Sequence, residues 1–205
     1  MRTWMTEIAN SIRVERDYLV QLDAAIGDGD HGINMTRGFE AVVLAFSTES
    51  GGSPGKLMTL AGKTLISAVG GASGPLWGSA LRRAGRTLGD EASVTPEQFV
   101  SALEAGLAAV QDLGQAKAGD KTMVDALAPA IAVLRKSVAA GQPLEIAVHE
   151  ARSAAEEGMR ATVPMQARKG RASYLGERSI GHQDPGATSA VLILKALERT
   201  LAVEG

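Results

Sequence analysis

The chain has 205 residues, a formal net charge of −2 and no cysteine. This charge indicates neither a nucleic-acid nor an acidic-lipid partner, and the lack of cysteine excludes disulfides, thiolate zinc sites and cysteine nucleophiles. No run of 18 apolar residues is present, and the N-terminus is too charged for a signal peptide. We therefore expect a cytoplasmic protein that does not enter a membrane.

The first half of the chain has a helical pattern. Aromatic residues make up only 3% of the chain, and abundant alanine and leucine favour close-packed helices over a sheet. Apolar residues at steps of three, four and seven predict four helices. These helices cover residues 4–26, from His31 to the turn-rich run at 50–55, about 56–69 and about 75–88.

Capping signals mark the remaining helices. Residues 95–98 (Thr-Pro-Glu-Gln) combine an N-cap, a first-turn proline and a capping box, which begin the fifth helix. Asp120 is the predicted N-cap of the sixth helix. The seventh helix begins at Gln142-Pro143, and the eighth follows Asp184-Pro185-Gly186. The sequence therefore predicts an all-α, antiparallel eight-helix barrel or bundle.

Two segments of the predicted third helix have sequence features of other structures, one of a P-loop and one of a β-strand. Gly62-Lys63-Thr64 looks like the end of a P-loop, but position 57 is leucine instead of glycine and no strand precedes it. Residues 64–69 have a strand-like composition but no evident partner strand. We assign both segments to a helix.

The order of the loops along the chain predicts which end of the helical bundle carries the functional site. Short connections imply sequential antiparallel packing within a single domain, residues 1–205. The loops after the first, third, fifth and seventh helices then meet at one end of the bundle. They comprise residues 27–30, 70–74, 114–120 and 164–183, and they carry an acidic cluster, two glycine turns and a basic segment. We expect the functional site at that end.

Asp23, Asp28, Asp30 and His31 lie within nine residues. Crowded carboxylates repel one another unless a cation neutralises them, and Mg²⁺ prefers oxygen ligands. The stretch therefore predicts a divalent metal site. Calcium is an alternative, although the spacing does not match the EF-hand pattern. The aspartates can also be turn formers or helix caps, and His31 a helix cap.

The other loops at this end suit phosphate. Glycine turns that open helices present free N–H groups to an anion. Four basic residues of the last loop can add charge-assisted hydrogen bonds; they are Arg168, Lys169, Arg171 and Arg178. With a metal, these features meet the requirements of phosphoryl transfer. Taken separately, the glycine turn is equally compatible with a plain loop, and a basic segment of this kind is more often a solvated loop.

Five motifs follow one another in register along the chain. They are Asp23-x4-Asp28-x-Asp30-His31-Gly-x-Asn34, Gly71-Ala-Ser-Gly-Pro75, Gly119-Asp-Lys-Thr-Met123-x-Asp125, Gly170-Arg-Ala-Ser-Tyr-Leu-Gly176 and Asp184-Pro-Gly-Ala-x-Ser189. Together they resemble the nucleotide-binding L subunit of dihydroxyacetone kinase over residues 1–205. The resemblance implies an eight-helix antiparallel barrel with the nucleotide across one end.

The resemblance also implies the residues of the site. Asp23, Asp28 and Asp30 correspond to the aspartates that bind two Mg²⁺ ions, which bridge them to the nucleotide phosphates. The implied contacts to ADP or ATP are His31, Gly32, Ile33, Asn34, Ala72, Ser73, Gly114, Met123, Arg171, Asp184, Pro185 and Gly186. No residue of this chain is assigned as a general acid or base.

The activity implied by the resemblance is transfer of phosphate to dihydroxyacetone, which a separate K subunit binds covalently. Because the chain ends at Gly205 with only the L part, a K subunit is the expected partner. ADP is the expected retained cofactor, recharged from phosphoenolpyruvate by a phosphotransferase-system M subunit. The alternatives are an ATP-exchanging L subunit for a related ketose such as a tetrulose, and a nucleotide-loaded regulator of a transcription factor.

Overall fold

The computed structural model describes residues 1–49 and 51–204. Within these residues it contains nine α-helices, one 3₁₀ segment and no strand. The α-helices are α1 (Arg2–Val14), α2 (Arg16–Ile26), α3 (His31–Thr48), α4 (Pro54–Ala68), α5 (Ser73–Leu88), α6 (Pro96–Gly114), α7 (Met123–Ala139), α8 (Leu144–Ala161) and α9 (Pro185–Glu204), and the 3₁₀ segment is Arg171–Ser179. The predicted all-α fold class is confirmed. None of the helices described here combines the length and the apolar character needed to cross a membrane.

The helices form a closed ring. α1 packs against α3, α3 against α4, and each later helix against the next, until α9 contacts both α8 and α1. Large apolar side chains fill the interior and are almost fully buried, among them Met5, Ile12, Phe39, Met58 and Leu134. This closed arrangement is the helical barrel expected from the sequence.

The predicted first helix, residues 4–26, is in fact two helices. α1 and α2 are separated by Glu15, whose φ of −93° and ψ of 9° lie outside the α-helical region. Ile12 and Leu19 on either side of the break are both buried. The seven-residue apolar spacing therefore continues across the break and gave no sign of it. Because α1 and α2 both pack against α3 and α9, they form one side of the ring and leave the order of the loops unchanged.

The helix caps agree with the sequence at α6 but not at α7. Thr95 Oγ1 accepts the N–H of Gln98 (3.3 Å), and Gln98 Oε1 accepts the N–H of Thr95 (2.9 Å), which is the predicted capping box. α7 begins later than predicted. Its N-cap is Thr122 instead of Asp120, because Thr122 forms a second capping box with Asp125.

Helices α4 and α5 lie very close to each other. A Cβ on Gly62 would lie 2.5 Å from the carbonyl oxygen of Gly78, and a Cβ on Gly85 would lie 2.5 Å from that of Gly55. Only glycine permits such an approach of two helix backbones. Gly62 therefore serves helix packing, in agreement with the assignment of Gly62-Lys63-Thr64 to a helix.

Candidate functional site

Five segments meet at one end of the barrel and line a cleft. They are the end of α2 with the following acidic loop (27–30), the start of α5, the start of α7, the basic loop (164–183) and the start of α9. The residues predicted from the sequence that line this cleft are Asp23, Asp28, Asp30, His31, Ala72, Ser73, Met123, Lys169, Arg171, Asp184, Pro185 and Gly186. The structure thus brings together segments that the antiparallel loop order placed at one end.

The acidic side chains form a compact cluster. One carboxylate oxygen from each of Asp23, Asp28 and Asp30 lies within 4.8 Å of the other two. In the part of the chain that the structure describes, no other three acidic, histidine or cysteine side chains are arranged in this way. Three carboxylate oxygens at this separation fit a divalent cation that prefers oxygen, such as Mg²⁺. His31 is not a member of the cluster.

Asp23 also caps a helix. Its Oδ2 accepts hydrogen bonds from the backbone N–H of Asp30 (2.8 Å) and of His31 (3.1 Å). The end of α2 therefore holds the start of α3, and the Asp23 side chain is buried whereas Asp28 is exposed. A cap and a potential metal ligand are compatible here, because Oδ1 of Asp23 is not used by these two hydrogen bonds.

The basic loop lies over the acidic loop. Arg171 Nη2 is 3.0 Å from Asp28 Oδ2, and Lys169 lines the cleft beside Arg171. Ala172 packs with Ile26 in a small apolar cluster that is separate from the main core. The loop is thus attached both by charge and by apolar contact, and it presents two cations to the cleft.

His31 connects the starts of α5 and α9. Its Nδ1 is 3.0 Å from Ser73 Oγ and its Nε2 is 3.1 Å from Ser189 Oγ. Ser189 donates its own proton to the carbonyl of Gly186 (2.9 Å), so Nε2 is the donor to Ser189 and Nδ1 accepts from Ser73. Burial lowers the pKa of His31 against the opposing charges of nearby carboxylates. The imidazole is therefore neutral near pH 7.

Asp184 caps α9. Its Oδ2 accepts the N–H of Ala187 (2.6 Å), and its own N–H donates to Thr162 Oγ1 (3.0 Å). Burial raises the pKa of Asp184 to about 7, while the Ala187 hydrogen bond and the charge of Lys121 act in the opposite direction. The next two residues also line the cleft. The first turn of α9, whose N-terminal dipole favours anions, is thereby directed at the site.

Lys121 belongs to the site, although no signal in the sequence marked it. This side chain borders the cleft, is only 1% exposed, and donates from Nζ to the carbonyl oxygens of Thr162 (2.5 Å) and His182. It occurs within the motif at residues 119–123, but a sequence does not distinguish a buried ammonium from a solvated one. Its left-handed backbone, with φ of 63°, is likewise visible only in the structure.

Three consecutive residues expected to contact nucleotide lie outside the cleft. Gly32 is buried in α3, where a Cβ would collide with the carbonyl oxygen of Arg16. Ile33 is 48% exposed. Asn34 is buried, and its Oδ1 accepts a hydrogen bond from Arg37 Nη2 (2.9 Å). The first turn of α3 therefore contributes only His31 to the lining of the cleft.

Other residues that the sequence predicted for the site also lie outside the cleft. Gly114 lines an adjoining cavity instead, and Arg168 and Arg178 are exposed and do not line the cleft. The cleft has an apolar wall from Leu76 and Trp77, which the sequence pattern placed only in a helix. The site therefore offers apolar surface beside its charged groups.

Comparison with known proteins identifies the family of the chain. The family model described as DAK2 domain matches residues 25–199. The chain is 44% identical over 95% of its length to the ADP-binding subunit DhaL of the PEP-dependent dihydroxyacetone kinase of Escherichia coli K12, of which it covers 92%. It is 37% identical over 97% of its length to the ADP-binding subunit DhaL of the PTS-dependent enzyme of Lactococcus lactis, of which it covers 95%. It is also 42% identical, over 87% of its length, to L-erythrulose 1-kinase of Mycolicibacterium smegmatis, but covers 31% of that protein.

A solved structure shows the same fold. The dihydroxyacetone kinase of C. freundii in complex with AMP-PNP and Mg²⁺ superposes with a TM-score of 0.75 at 27% sequence identity. The match covers 97% of this chain and 33% of that kinase, so the chain spans about a third of its length. Together with the family model and the two bacterial subunits, this match shows that the chain belongs to the DAK2 domain family.

Proposed function

We propose that this chain is the ADP- or ATP-binding phosphoryl-transfer subunit of a dihydroxyacetone kinase. It passes phosphate from a magnesium-bound nucleotide to dihydroxyacetone held on a separate K subunit. The observation that carries the proposal is the cleft, in which three carboxylates, a helix N-terminus and two cations of the basic loop share one lining. These groups suit a divalent metal and phosphate together, and the named relatives support the same activity.

In this proposal, Asp23, Asp28 and Asp30 hold two Mg²⁺ ions. When bound there, the ions would supply positive charge that offsets the charge of the phosphates. Asp23 is held in place by the two backbone N–H groups that it accepts, so one ligand of the cluster is fixed before the metal binds. Asp28 is exposed and its Oδ2 is paired with Arg171, so that cation competes with the metal for the carboxylate.

The nucleotide is held by other groups that line the cleft around the acidic cluster. Lys169, Arg171 and the first turn of α9 supply positive potential for its phosphates. Leu76 and Trp77 supply apolar surface. A site that is both charged and apolar is typical of nucleotide binding, where phosphates and a base are recognised together.

We assign no general acid or base to this chain. His31 is neutral, and each of its ring nitrogens is hydrogen-bonded to a serine. It therefore orients the starts of α5 and α9 and does not take up a proton. The group that accepts the hydroxyl proton of dihydroxyacetone belongs, in this proposal, to the K subunit.

Two versions of the proposed function differ in the compound that supplies the phosphoryl group. In the first, ADP stays bound and an M subunit of the phosphotransferase system recharges it, which is supported by relatives named PEP-dependent and PTS-dependent. In the second, ATP exchanges freely and the acceptor is a tetrulose. This alternative is supported by the 42% identity to L-erythrulose 1-kinase.

Two measurements test the proposal. The protein is dialysed extensively with Mg²⁺ and denatured, and the released small molecules are identified by mass spectrometry. Near-stoichiometric ADP, with turnover that requires phosphoenolpyruvate and the phosphotransferase proteins beside the K subunit, supports the first version. Turnover with ATP alone, without retained ADP, supports the second. A protein that neither binds nucleotide nor supports turnover with either donor contradicts both.

A further inference from the structure

The basic loop is held at its base by one buried side chain. Lys121 is 1% exposed, and its Nζ donates to the carbonyl of Thr162 (2.5 Å) and to that of His182. Thr162 follows the last residue of α8, and His182 precedes α9 by three positions. A single ammonium group therefore joins the two ends of the loop that presents Lys169 and Arg171 to the cleft.

Backbone hydrogen bonds reinforce this link. The N–H of Arg168 donates to the carbonyl of Asp120 (3.0 Å), and the N–H of Gly181 donates to the carbonyl of Val163 (2.8 Å). The residue before Lys121 thus holds the loop at a third point. The position of the loop relative to the start of α7 is set by residues 120–121.

The charge of Lys121 is offset by carboxylates that already serve as helix caps. Asp125 accepts the N–H of Thr122 (2.8 Å), and Asp184 accepts the N–H of Ala187 (2.6 Å). Burial lowers the pKa of Lys121, and both carboxylates oppose that shift. An ammonium with carbonyl acceptors and nearby negative charge is a satisfied buried group, and it forms a rigid link between the caps of α7 and α9.

We propose that Lys121 is a positioning residue for nucleotide binding, and this rests on the proposed function for the identity of the ligand. Lys121 fixes both ends of the basic loop and thereby places Lys169 and Arg171 at the cleft, over the acidic loop. A buried cation is a poor means of gaining stability alone, since an apolar residue of similar size often serves as well. Its backbone is also left-handed, with φ of 63°, a conformation that persists where the surroundings enforce it.

Four variants of the full-length protein separate positioning from stability. K121M keeps the side-chain length but removes the charge and the donors, and K121R restores a cationic donor. K117M is the matched control, because it removes an exposed lysine from the segment between α6 and α7 that also contains Lys121. L134A removes a buried side chain from the distant part of α7, so it destabilises the core without changing the cleft.

Two readouts are measured at a temperature at which circular dichroism shows every variant to be folded. The first is the Kd of Mg·ADP by calorimetry, and the second is hydrogen–deuterium exchange over residues 162–184 without nucleotide. For K121M we expect the Kd to rise about tenfold and exchange to accelerate in that segment. K121R should recover most of the affinity, whereas K117M and L134A should bind as wild type despite the lower melting temperature of L134A.

Wild-type affinity and exchange in K121M overturn the inference, and so does an equal loss of affinity in L134A. If K121M does not fold, K121Q replaces it, because this variant removes the charge but keeps one uncharged donor directed at the carbonyls of Thr162 and His182. About threefold weaker binding of Mg·ADP and faster exchange over residues 162–184 are then expected, and unchanged values overturn the inference. If wild type does not bind Mg·ADP although K121M accelerates exchange, the proposed function fails while the structural role of Lys121 stands.

Discussion

Nη2 of Arg171 lies 3.0 Å from Oδ2 of Asp28, and this ion pair joins the basic loop to the acidic loop. The two side chains are 67% and 36% exposed, so the pair contributes at most about 1 kcal/mol. The same groups are those we propose for phosphate and for metal. A metal that binds Asp28 and a phosphate that binds Arg171 therefore both compete with the ion pair.

Replacing Arg171 should affect metal and nucleotide in opposite directions. In R171M, Asp28 loses its competing cation, so Mn²⁺ alone should bind up to about fivefold tighter by electron paramagnetic resonance. Mg·ADP should bind about tenfold more weakly by calorimetry, because a charged phosphate contact is lost. R178M, which changes an exposed arginine of the same loop, is the control. Weaker binding of Mn²⁺ alone in R171M would contradict this competition.

Removing the carboxylate of Asp30 should abolish retention of Mg·ADP without unfolding the barrel. Its oxygen belongs to the cluster of three that lies within 4.8 Å, and its loss relieves repulsion in the metal-free site. We therefore expect D30A to release all nucleotide on dialysis while its melting temperature without ligand stays equal to or above that of wild type. Normal retention of Mg·ADP by D30A would refute the metal assignment.

Asp23 should respond differently, because it is also a cap. D23A removes the acceptor of two backbone N–H groups at the start of α3, which should cost about 1–2 kcal/mol and lower the melting temperature by about 2–8 °C. D23N keeps an oxygen acceptor and should retain most of that stability, yet it should bind Mn²⁺ far more weakly. Equal melting temperatures for D23A and D23N, which both lack the charge of Asp23, would show that the cap contributes nothing.

The parts of the site that could be predicted from the sequence consist of residues that are close to one another along the chain. Asp23, Asp28 and Asp30 are so close in sequence that they meet in almost any fold, and loop order brought the other segments to the same end. The partners of His31 are 42 and 158 residues away, and only the closed ring brings them together. The burial of Lys121 depends on carbonyls supplied by two other segments. Such tertiary hydrogen bonds have no periodic signal in a sequence.

Glu156 should give the stability of the barrel a pH dependence. It links α8 to α9 through Lys195 Nζ (2.9 Å) and also pairs with Arg152 (3.1 Å). Burial alone would raise its pKa, but the hydrogen bonds and charges of Lys195 and Arg152 hold the pKa below its ordinary value of 4.5. Because the folded state then binds the proton more weakly than the unfolded state, the stabilisation is present above pH 4.5 and is lost as the pH falls below it.

E156Q should therefore lower the melting temperature at pH 7 by about 2–4 °C, and this difference should disappear toward pH 3. Thermal unfolding followed by circular dichroism between pH 7 and pH 3 measures it. E157Q, which changes the exposed neighbour on α8, should match wild type throughout. A difference for E156Q that is independent of pH would mean that its ionised pairs do not stabilise the fold.

Gly62 and Lys63 allow the packing of α4 against α5 to be tested separately from any contact of α4 with nucleotide. A Cβ at this position would lie 2.5 Å from the carbonyl oxygen of Gly78, and neither helix backbone can shift without disturbing its neighbours. G62A should therefore cost about 1–3 kcal/mol and lower the melting temperature by about 2–12 °C. K63A changes the exposed residue that follows and should leave stability unchanged. Both proteins should bind Mg·ADP as wild type in calorimetry. The lysine of a P-loop contacts the phosphates. A P-loop at Gly62-Lys63-Thr64 would therefore require K63A to lose affinity.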